Sequence, residues 1–412
     1  MKIAVYGISR VGKDSFITQV CSQSKRNIKH LKGSSYLQDI AKTIYNESFD
    51  ALTTTEQKHV REMFAVQAKE LETIHDDIIV DGHYSFPNKH GTFDIVMTQE
   101  DIDLYDIFMY LDKDAKTVYS QSAKNPKKHS LYLSDIENIK TWKAFDKSGL
   151  KKVVTKNQKK WLVINEFYKY QKTFIDRLLS NFEYYNVSGI VNRIIESLIN
   201  HNHLNRDIIL LDCDKTLSIN DLTIDVFEHS DINPSILKTI FKGNDYTEYQ
   251  FFNLQNCITS SKEYNQAISL AIDNVQYNER LLNELKQKNK STFIALTTGL
   301  ADAWHDINEK YNLFDFLIGK GTSNEYYNYF VTPEFKGLFA EALKAKGYHV
   351  TAIGDSIIDI PMLEAANKGV LVAMQKLDTR IINYLSDGLS SQIKQFSFNT
   401  YKYNDIKEID KL

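Results

Sequence analysis

The sequence contains little cysteine and no long apolar run, and both shortages limit what kind of protein it can be. Among 412 residues there are three cysteines. Cys21, Cys213 and Cys257 have neither the spacing of metal ligands nor a disulfide pattern, which indicates a reducing compartment and a cytoplasmic location. No apolar stretch approaches the ~18 residues of a membrane span, and the chain starts without a signal peptide, so we expect no membrane partner.

Neither sign of charge dominates, and arginine is scarce. The net charge is −3, and only eight of the 50 basic residues are arginines. A charge so nearly balanced does not indicate a surface for nucleic acid or membrane. Lysine can supply positive charge to a phosphate site, but it lacks the planar fork of arginine. The apolar fraction of 42% and charged fraction of 25% are typical of a globular protein, and the length predicts two domains.

Apolar runs alternate with helical patterns in both halves of the chain, which predicts an α/β fold with two Rossmann-like parallel-sheet domains. In the first domain (1–200) we predict strands at 2–6, 78–81, 107–112 and 184–187, with helices at 55–75, 114–123, 134–147, 158–181 and 190–200. In the second domain (206–385) we predict strands at 208–211, 292–296, 350–353 and 369–373. Helical patterns fill 218–290, a segment too long for a simple crossover, which indicates an inserted helical cap. A C-terminal extension (386–412) follows, with an edge strand at 391–399.

The segment Asp212-Cys213-Asp214-Lys215-Thr216 follows a strand and carries the clearest chemistry in the chain. Two carboxylates two residues apart would stand at the carboxyl edge of a sheet, where open α/β folds bind ligands. One carboxylate can attack phosphorus, and the other can handle the proton of the leaving group. We interpret Cys213 as a small core residue.

Three later segments complete a pattern that resembles the haloacid dehalogenase superfamily, within it the phosphoserine-phosphatase-like phosphatases. They are Thr297 in a run that ends a strand, Lys336, and the pair Asp355 and Asp359 in a G-D-x-x-x-D segment. The resemblance covers about 205–375. It implies a helical cap that selects the substrate, with Tyr246, Tyr249, Phe251 and Phe252 either lining the pocket or packing the cap's own helices.

The resemblance also assigns roles to these residues. Asp212 would form an aspartyl-phosphate, and Asp214 would protonate the leaving oxygen and later activate water. Thr297 and Lys336 would hold the phosphoryl oxygens. Asp212, the backbone carbonyl of Asp214 and Asp355 would bind Mg²⁺, an ion that prefers oxygen ligands. Asp359 would serve either beside the metal or in orienting Lys336.

A second motif lies near the N-terminus and resembles the Walker A loop of P-loop kinases, G-x-x-x-x-G-K-[ST]. It runs from Gly7 through Gly12 and Lys13 to Asp14 and Ser15, between a strand and a helix. Backbone N–H groups would bind the phosphates of ATP or GTP, and Lys13 would reach the β and γ oxygens. Asp14 replaces the usual Ser or Thr, as in deoxynucleoside monophosphate kinases, so Asp14 or Ser15 would be the group on the Mg²⁺ side.

The segment 81–87, at the end of the next predicted strand, resembles the D-G-[FY]-P-R region of small-molecule kinases. Its first residue, Asp81, would orient Mg²⁺ or accept the proton of the acceptor's hydroxyl group. The arginine of that region is missing. Gln121, Lys124, Lys127 and Lys128 occupy the stretch where such kinases carry lid arginines. His83 is interpreted as a turn histidine in preference to a general base. Asp39 and Lys42 either contact an acceptor or form a solvated helix face.

The order of the two halves resembles that of the phage-type polynucleotide kinase–phosphatases. Three hypotheses therefore stay open. The first is a phosphatase fused to a nucleotide-binding kinase-like domain, acting on nucleotides or other small phosphometabolites. The second is an enzyme that heals RNA or DNA ends, although no basic channel with interleaved aromatics supports it. The third is a phosphatase regulated by a degenerate nucleotide-binding module. The sequence leaves the oligomeric state open.

Overall fold

The computed structural model describes residues 1–124, 132–201, 204–288, 290–373, 380–381, 384 and 393–397. The chain divides into two compact units, Met1–Phe182 and Glu183–Leu412, each built around a parallel sheet. Lys127, Lys128 and most of the predicted C-terminal extension lie outside the described residues. Among the described residues, no helix has the length and apolar character needed to cross a membrane.

The first unit contains a five-stranded parallel sheet in the order β2-β3-β1-β6-β7. Its central strands are buried on both faces, because helices cover the sheet from both sides. A short antiparallel pair, β4 with β5, lies outside this sheet. The strands are β1 (Lys2–Tyr6), β2 (Ile28–Lys32), β3 (Asp77–Asp81), β4 (Ser85–Pro87), β5 (Phe93–Ile95), β6 (Ile107–Leu111) and β7 (Lys160–Ile164).

Among the described residues of this unit, six helices lie between the strands and a seventh follows the last strand. The third begins with a capping box in which Thr53 and Glu56 satisfy each other's backbone N–H groups. Since β1 has β3 on one side and β6 on the other, the loop after β1 lies where the strand order reverses, the usual ligand position in such sheets. The helices are α1 (Lys13–Gln23), α2 (Gly33–Tyr45), α3 (Thr54–Leu71), α4 (Gln99–Leu104), α5 (Ala115–Lys124), α6 (Ile136–Lys156) and α7 (Gln171–Ser180).

The second unit contains a seven-stranded parallel sheet in the order β11-β10-β9-β8-β12-β13-β14. The chain enters at β8, builds one side of the sheet, and returns to β12 on the other side. The loops after β8 and β12 therefore flank a second point of strand reversal. The strands are β8 (Asp207–Leu211), β9 (Ser291–Leu300), β10 (Phe316–Lys320), β11 (Tyr327–Asn328), β12 (His349–Gly354), β13 (Lys368–Ala373) and β14 (Ile393–Ser397).

In the described part of the segment between β8 and β9, five helices form the predicted cap. The bridge between Ser218 and Tyr277 joins the two ends of the cap. The helices of the second unit are α8 (Val187–His201), α9 (Leu222–Glu228), α10 (Ile236–Ile240), α11 (Glu248–Thr259), α12 (Tyr264–Asp273), α13 (Glu279–Lys286), α14 (Ala301–Tyr311), α15 (Pro333–Ala345) and α16 (Ile360–Ala365).

One predicted helix and one predicted strand of the first half were wrong. The prediction of a single helix over 158–181 merged two elements, since 160–164 form β7 and α7 begins only at Gln171. A short continuous apolar run has no period that separates a buried strand from a buried helix. The strand predicted at 184–187 is a 3-10 turn, Phe182–Tyr185, followed directly by α8.

Helix α8 belongs to the core of the second unit, whereas the sequence prediction placed 190–200 in the first domain. Its apolar face packs with Phe339 and Leu343 of α15 in one buried cluster. The division between the units accordingly falls after Phe182. An amphipathic pattern gives the buried face of a helix but does not say which neighbouring core will cover it.

Candidate active site

Asp212 lies directly after the central strand β8 and is held there by the backbone. Its N–H donates to the carbonyl of Ile353 in β12 (2.9 Å), which continues the sheet pairing one residue beyond the strand. The chain then turns tightly, because Leu217 N–H donates to the carbonyl of Cys213 (2.8 Å) and Lys215 has a left-handed φ of 58°. This turn leaves Asp212 and Asp214 at the carboxyl edge, with the Cys213 side chain fully buried as predicted for a core residue.

Lys336 forms a fully buried bridge between two carboxylates. Its Nζ donates to Asp212 Oδ1 (2.6 Å) and to Asp359 Oδ1 (2.5 Å). Thr332 caps the start of α15 by accepting from Phe335 N–H, which fixes the turn from which Lys336 extends. Burial alone would lower the pKa of Lys336, but the two carboxylates outweigh it and raise the pKa well above its usual value. The lysine therefore carries a positive charge beside Asp212.

Asp359 is already saturated by the turn that follows β12. Its Oδ2 accepts from Ser356 N–H (2.9 Å), Ser356 Oγ–H (2.7 Å) and Asp355 N–H (3.2 Å). Its other oxygen faces Lys336. Of the two roles considered for Asp359, this geometry favours the orientation of Lys336.

Three carboxylates form a compact oxygen cluster at this edge. Oxygen atoms of Asp212, Asp355 and Asp359 lie within 4.8 Å of one another. Burial and the neighbouring Asp359 carboxylate raise the pKa of Asp212 to about 6, and burial with the neighbouring carboxylates raises that of Asp355 well above its usual value. A bound cation would relieve this repulsion. The donor set of hard oxygens fits Mg²⁺, with Asp212 and Asp355 as the side chains available to hold it.

Asp214 occupies a separate position between the cap and the core. Its Oδ1 accepts from the backbone N–H of Leu222 (2.8 Å), at the start of cap helix α9, and its Oδ2 accepts from the indole N–H of Trp304 (3.4 Å). Burial, with the carboxylates of Asp221 and Asp212, raises the pKa of Asp214 well above its usual value. A carboxyl group whose pKa is raised in this way is suited to act as a general acid.

The two threonines of the motifs are buried beside these groups. Thr216 Oγ1 lies 3.4 Å from Asp212 Oδ2 and 3.5 Å from Asp355 Oδ1. Thr297 lies on β9, which neighbours β8, and its Oγ1 accepts from Gly299 N–H (3.0 Å). Because β8 and β9 are neighbours, the sheet brings the first two motifs to one edge.

The cap aromatics mostly pack inside the cap. Tyr249, Phe251 and Phe252 are buried, and the ring of Phe252 contacts that of Phe330 in the core with their centroids 6.3 Å apart. This favours the packing alternative for these three residues. Tyr246 is half-buried and its hydroxyl accepts from the Arg380 guanidinium (2.7 Å).

In the first unit, the loop after β1 has the glycine geometry of a phosphate-binding loop. Gly7 and Gly12 adopt φ values of 144° and 87°, and a Cβ at Gly7 would lie 2.9 Å from Val11 Cγ2. Lys13 begins α1 and bends back so that its Nζ donates to the carbonyl of Gly7 (2.7 Å). Burial lowers the pKa of Lys13 to about 8. The loop and its lysine therefore stand at the strand-reversal point of this sheet.

Asp14 and Asp81 meet beside this loop, together with a histidine that the sequence prediction did not include. Ligand atoms of Asp14, His30 and Asp81 lie within 4.8 Å of one another. Asp81 Oδ1 also accepts from Gly33 N–H (3.0 Å). Burial acts to raise the pKa of Asp81, but His30, the Gly33 N–H and Lys13 outweigh it and lower that pKa. Ser15 is exposed on the first turn of α1.

The remaining predicted residues of the first unit have simpler surroundings. The ring of His83 lies 4.6 Å from that of Phe86, and His83 Nε2 lies 3.2 Å from Lys13 Nζ, so this histidine contacts the lysine of the loop. Asp39 and Lys42 are exposed on α2, which favours the solvated-face alternative.

The sequence analysis missed Trp304 of the second unit, because it is 90 residues from Asp214 in sequence and no motif connects them.

Similar solved structures cover about half of this chain. A haloacid dehalogenase family hydrolase from Salmonella enterica subsp. enterica serovar Typhi is 12% identical, with 47% of this chain and 73% of that one covered and a TM-score of 0.36. A phosphoserine phosphohydrolase-like protein from Francisella tularensis subsp. tularensis SCHU S4 is 20% identical, with coverages of 46% and 94% and a TM-score of 0.32. Cytosolic 5′-nucleotidase IIIB bound to cytidine is 10% identical, with coverages of 51% and 85% and a TM-score of 0.32.

Two family models match separate parts of the chain, and no curated protein matches it. Residues 258–367 match the haloacid dehalogenase-like hydrolase family, a region that includes Thr297, Lys336, Asp355 and Asp359. Residues 6–142 match the AAA domain family, a region that includes the P-loop. The chain therefore combines a haloacid dehalogenase-like hydrolase region with a P-loop kinase-like region, as the motifs predicted. The match over residues 258–367 supports a hydrolase in the second unit.

Proposed function

We propose that the second unit is a Mg²⁺-dependent phosphomonoesterase that works through an aspartyl-phosphate. Asp212 attacks phosphorus, and the bond from phosphorus to the leaving oxygen breaks as Asp214 gives that oxygen its proton. Asp214 then takes a proton from the water that hydrolyses the phosphoryl-Asp212. Lys336 and Thr297 hold the phosphoryl oxygens. Mg²⁺, held by Asp212, Asp355 and the Asp214 carbonyl, supplies positive charge that offsets the charge of the phosphoryl group.

The observation that carries this proposal is the buried bridge of Asp212, Lys336 and Asp359. Burial of a lysine between two carboxylates costs desolvation energy, so this bridge is weak evidence of a purely stabilising role. It gives Asp212 a fixed direction and places a cation where a phosphoryl group bound to Asp212 would lie.

We propose further that the first unit binds ATP or GTP and that the phosphatase substrate is a nucleotide or another small phosphometabolite. Supporting this are the left-handed glycines of the loop after β1 and Lys13 within it. Two alternatives remain as proposals: an enzyme that heals RNA or DNA ends, and a phosphatase controlled by a nucleotide-binding module that transfers no phosphate.

The first experiment tests the phosphatase assignment in the full chain. Hydrolysis of an aryl phosphate should require Mg²⁺ and should disappear in Asp212→Asn, while the circular dichroism spectrum stays that of the wild type. Lys13→Ala is the matched control because it removes a buried lysine from the other unit; it should weaken ATP binding and leave aryl phosphate hydrolysis unchanged. Turnover retained by Asp212→Asn would remove the nucleophile assignment.

A second pair of measurements separates the alternatives. A panel of phosphometabolites is compared with a 3′-phosphorylated oligonucleotide as phosphatase substrate; preference for the oligonucleotide would favour end healing. Transfer of label from γ-labelled ATP is then measured for the wild type and Lys13→Ala. Label transfer lost in the variant supports a kinase, and ATP binding without transfer supports the regulatory module.

A further inference from the structure

The carboxyl group of Asp214 is fixed by three different elements. Cap helix α9 donates the N–H of Leu222 to Oδ1, and core helix α14 donates the Trp304 indole N–H to Oδ2. The end of β9 closes the third side, because a Cβ on Gly299 would overlap Asp214 Oδ2 and stand 3.1 Å from Thr223 Oγ1. The carboxyl group of Asp214 therefore lies in a closely packed site, which we call its seat, with a hydrogen-bond donor for each oxygen.

Trp304 is itself firmly placed. Its side chain is fully buried, and two residues earlier on α14 the carboxylate of Asp302 anchors the helix on both sides. Tyr264 of cap helix α12 donates to Asp302 Oδ2 (2.5 Å), and Tyr326 of the core donates to Oδ1 (2.5 Å). The same helix thus contacts the cap and fixes the indole. A donor held in this way can set the direction of the carboxyl group that it contacts.

We propose that Trp304 is a positioning residue that aims the proton of Asp214 at the leaving oxygen, with Gly299 providing the space for it. This inference rests on the proposed phosphatase function. One lone pair of Asp214 Oδ2 accepts from the indole, so the other lone-pair site of this oxygen can carry the proton. That proton passes to the leaving oxygen as the phosphorus–oxygen bond breaks and the bond to Asp212 forms. Trp304 touches no reacting atom and acts through Asp214.

The test uses the dependence of rate on the leaving group. A nitrophenolate leaves without a proton, whereas an alkoxide requires one, so only the second reports on the acid. Trp304→Phe keeps a buried ring and removes the N–H. In single-turnover measurements of leaving-group release, its rate for glycerol phosphate should fall about tenfold or more, while its rate for nitrophenyl phosphate changes less than about threefold. Trp161→Phe, the same change in the core of the first unit, is the control and should behave as wild type.

A double-variant cycle separates positioning from a general structural effect. In an Asp214→Asn background the acid is absent, so adding Trp304→Phe should slow glycerol phosphate hydrolysis no further. Equal loss on both substrates, or full additivity with Asp214→Asn, would overturn the inference while the phosphatase proposal stands. Turnover in Asp212→Asn would instead overturn the proposed function.

Gly299→Ala tests the same seat if Trp304→Phe does not fold. The added methyl group would push the Asp214 carboxyl out of place. It should produce the same selective loss on glycerol phosphate. Unchanged rates on both substrates for this variant would show that the position of the carboxyl group is not set by its seat.

Discussion

Lys336 has no exposure to water, and its ammonium group stands between two carboxylates. It was selected as a site residue from the family resemblance alone. Its simultaneous contact with Asp212 and Asp359 depends on the tertiary structure and could not be predicted from the sequence. Once buried, the three ions are stable only together, since removal of one leaves charge in a medium of low polarity.

Replacement of Lys336 should therefore affect both stability and activity. Lys336→Met leaves Asp212 and Asp359 buried without their cation, and we expect a loss of about 3–5 kcal/mol in the free energy of unfolding together with loss of turnover. Urea unfolding and aryl phosphate hydrolysis check this. Lys346→Ala, at the end of the same helix in an exposed pair with Glu196 (4.0 Å), should cost less than about 1 kcal/mol. Equal effects of the two variants would contradict the account.

Asp146 gives a pH-dependent prediction in the first unit. The side chain is fully buried, accepts from Ser85 N–H (3.0 Å) and Ser85 Oγ–H (2.6 Å), and burial raises its pKa to about 6. In the unfolded chain its pKa is about 4. Between these values the folded state holds a proton that the unfolded state has lost, so stability falls as pH rises from about 4 to about 6.

Asp146→Asn should remove that part of the pH dependence, on the order of 2–3 kcal/mol at most. The measurement is urea unfolding of the wild type and the variant between pH 4.5 and pH 7. Asp176→Asn, at an exposed pair with Lys172, should keep the wild-type slope. If Asp146→Asn and Asp176→Asn had the same slope, Asp146 would not be the titrating group.

Single residues were predictable where a strand end and a motif coincide, as for Asp212, Asp214 and Asp355. The seat of Asp214 was not, because Leu222 contributes a backbone N–H and Trp304 arrives from a helix far along the chain. Ser85 with Asp146 and His30 with Asp81 are further long-range pairs. Spacing in sequence carries no information about such contacts.

At the level of elements, the strands that carry the motifs were predicted correctly, since their runs are apolar and end in polar residues. Strands β10 and β11 were not predicted, and neither was α11. Nearly every face of α11 is buried, which removes the amphipathic period from its sequence. Strand β7 was not predicted because lysines precede and follow it and because its short apolar run has no period that distinguishes a strand from a helix.

The contact between cap helix α12 and core helix α14 yields a prediction about the cap. Tyr264→Phe removes one hydrogen bond to a carboxylate, a contribution of about 1.5–3 kcal/mol, so amide hydrogen exchange in α12 should accelerate by about tenfold or more. Tyr326→Phe removes the matching bond to the other oxygen of Asp302 from the core side. That control should leave exchange in α12 unchanged. Unchanged exchange in Tyr264→Phe would mean that Asp302 does not hold the cap through Tyr264.

For the molecule as a whole, the two-domain organisation followed from length and from the repeated alternation of strands and helices. The boundary did not, because α8 is amphipathic in the same way whichever core it joins. Its buried side chains lie in the cluster of the second unit with β8, β9 and α15. These six side chains are Val187, Ile190, Val191, Ile194, Ile195 and Leu198.

The boundary can be tested with two fragments of the second unit. Each buried aliphatic side chain of α8 contributes about 1.5–3 kcal/mol, and the six together rival the ~5–15 kcal/mol by which a domain is stable. A fragment of residues 183–412 should unfold cooperatively in urea. A fragment of residues 206–412, which begins where the sequence prediction placed the domain, should not. Cooperative unfolding of both with equal midpoints would show that α8 is dispensable.

The most direct test of the central claim is to trap the phosphorylated enzyme. Asp214→Asn removes the group that activates water, and nitrophenolate leaves without a proton, so acid quenching of this variant shortly after mixing with nitrophenyl phosphate and Mg²⁺ should leave one phosphoryl group on the peptide that contains Asp212. Mass spectrometry of the digested protein reads this out, with Asp212→Asn/Asp214→Asn as the control that should carry none. A phosphoryl group on another peptide, or the same label on the double variant, would contradict the assignment of Asp212 as the nucleophile.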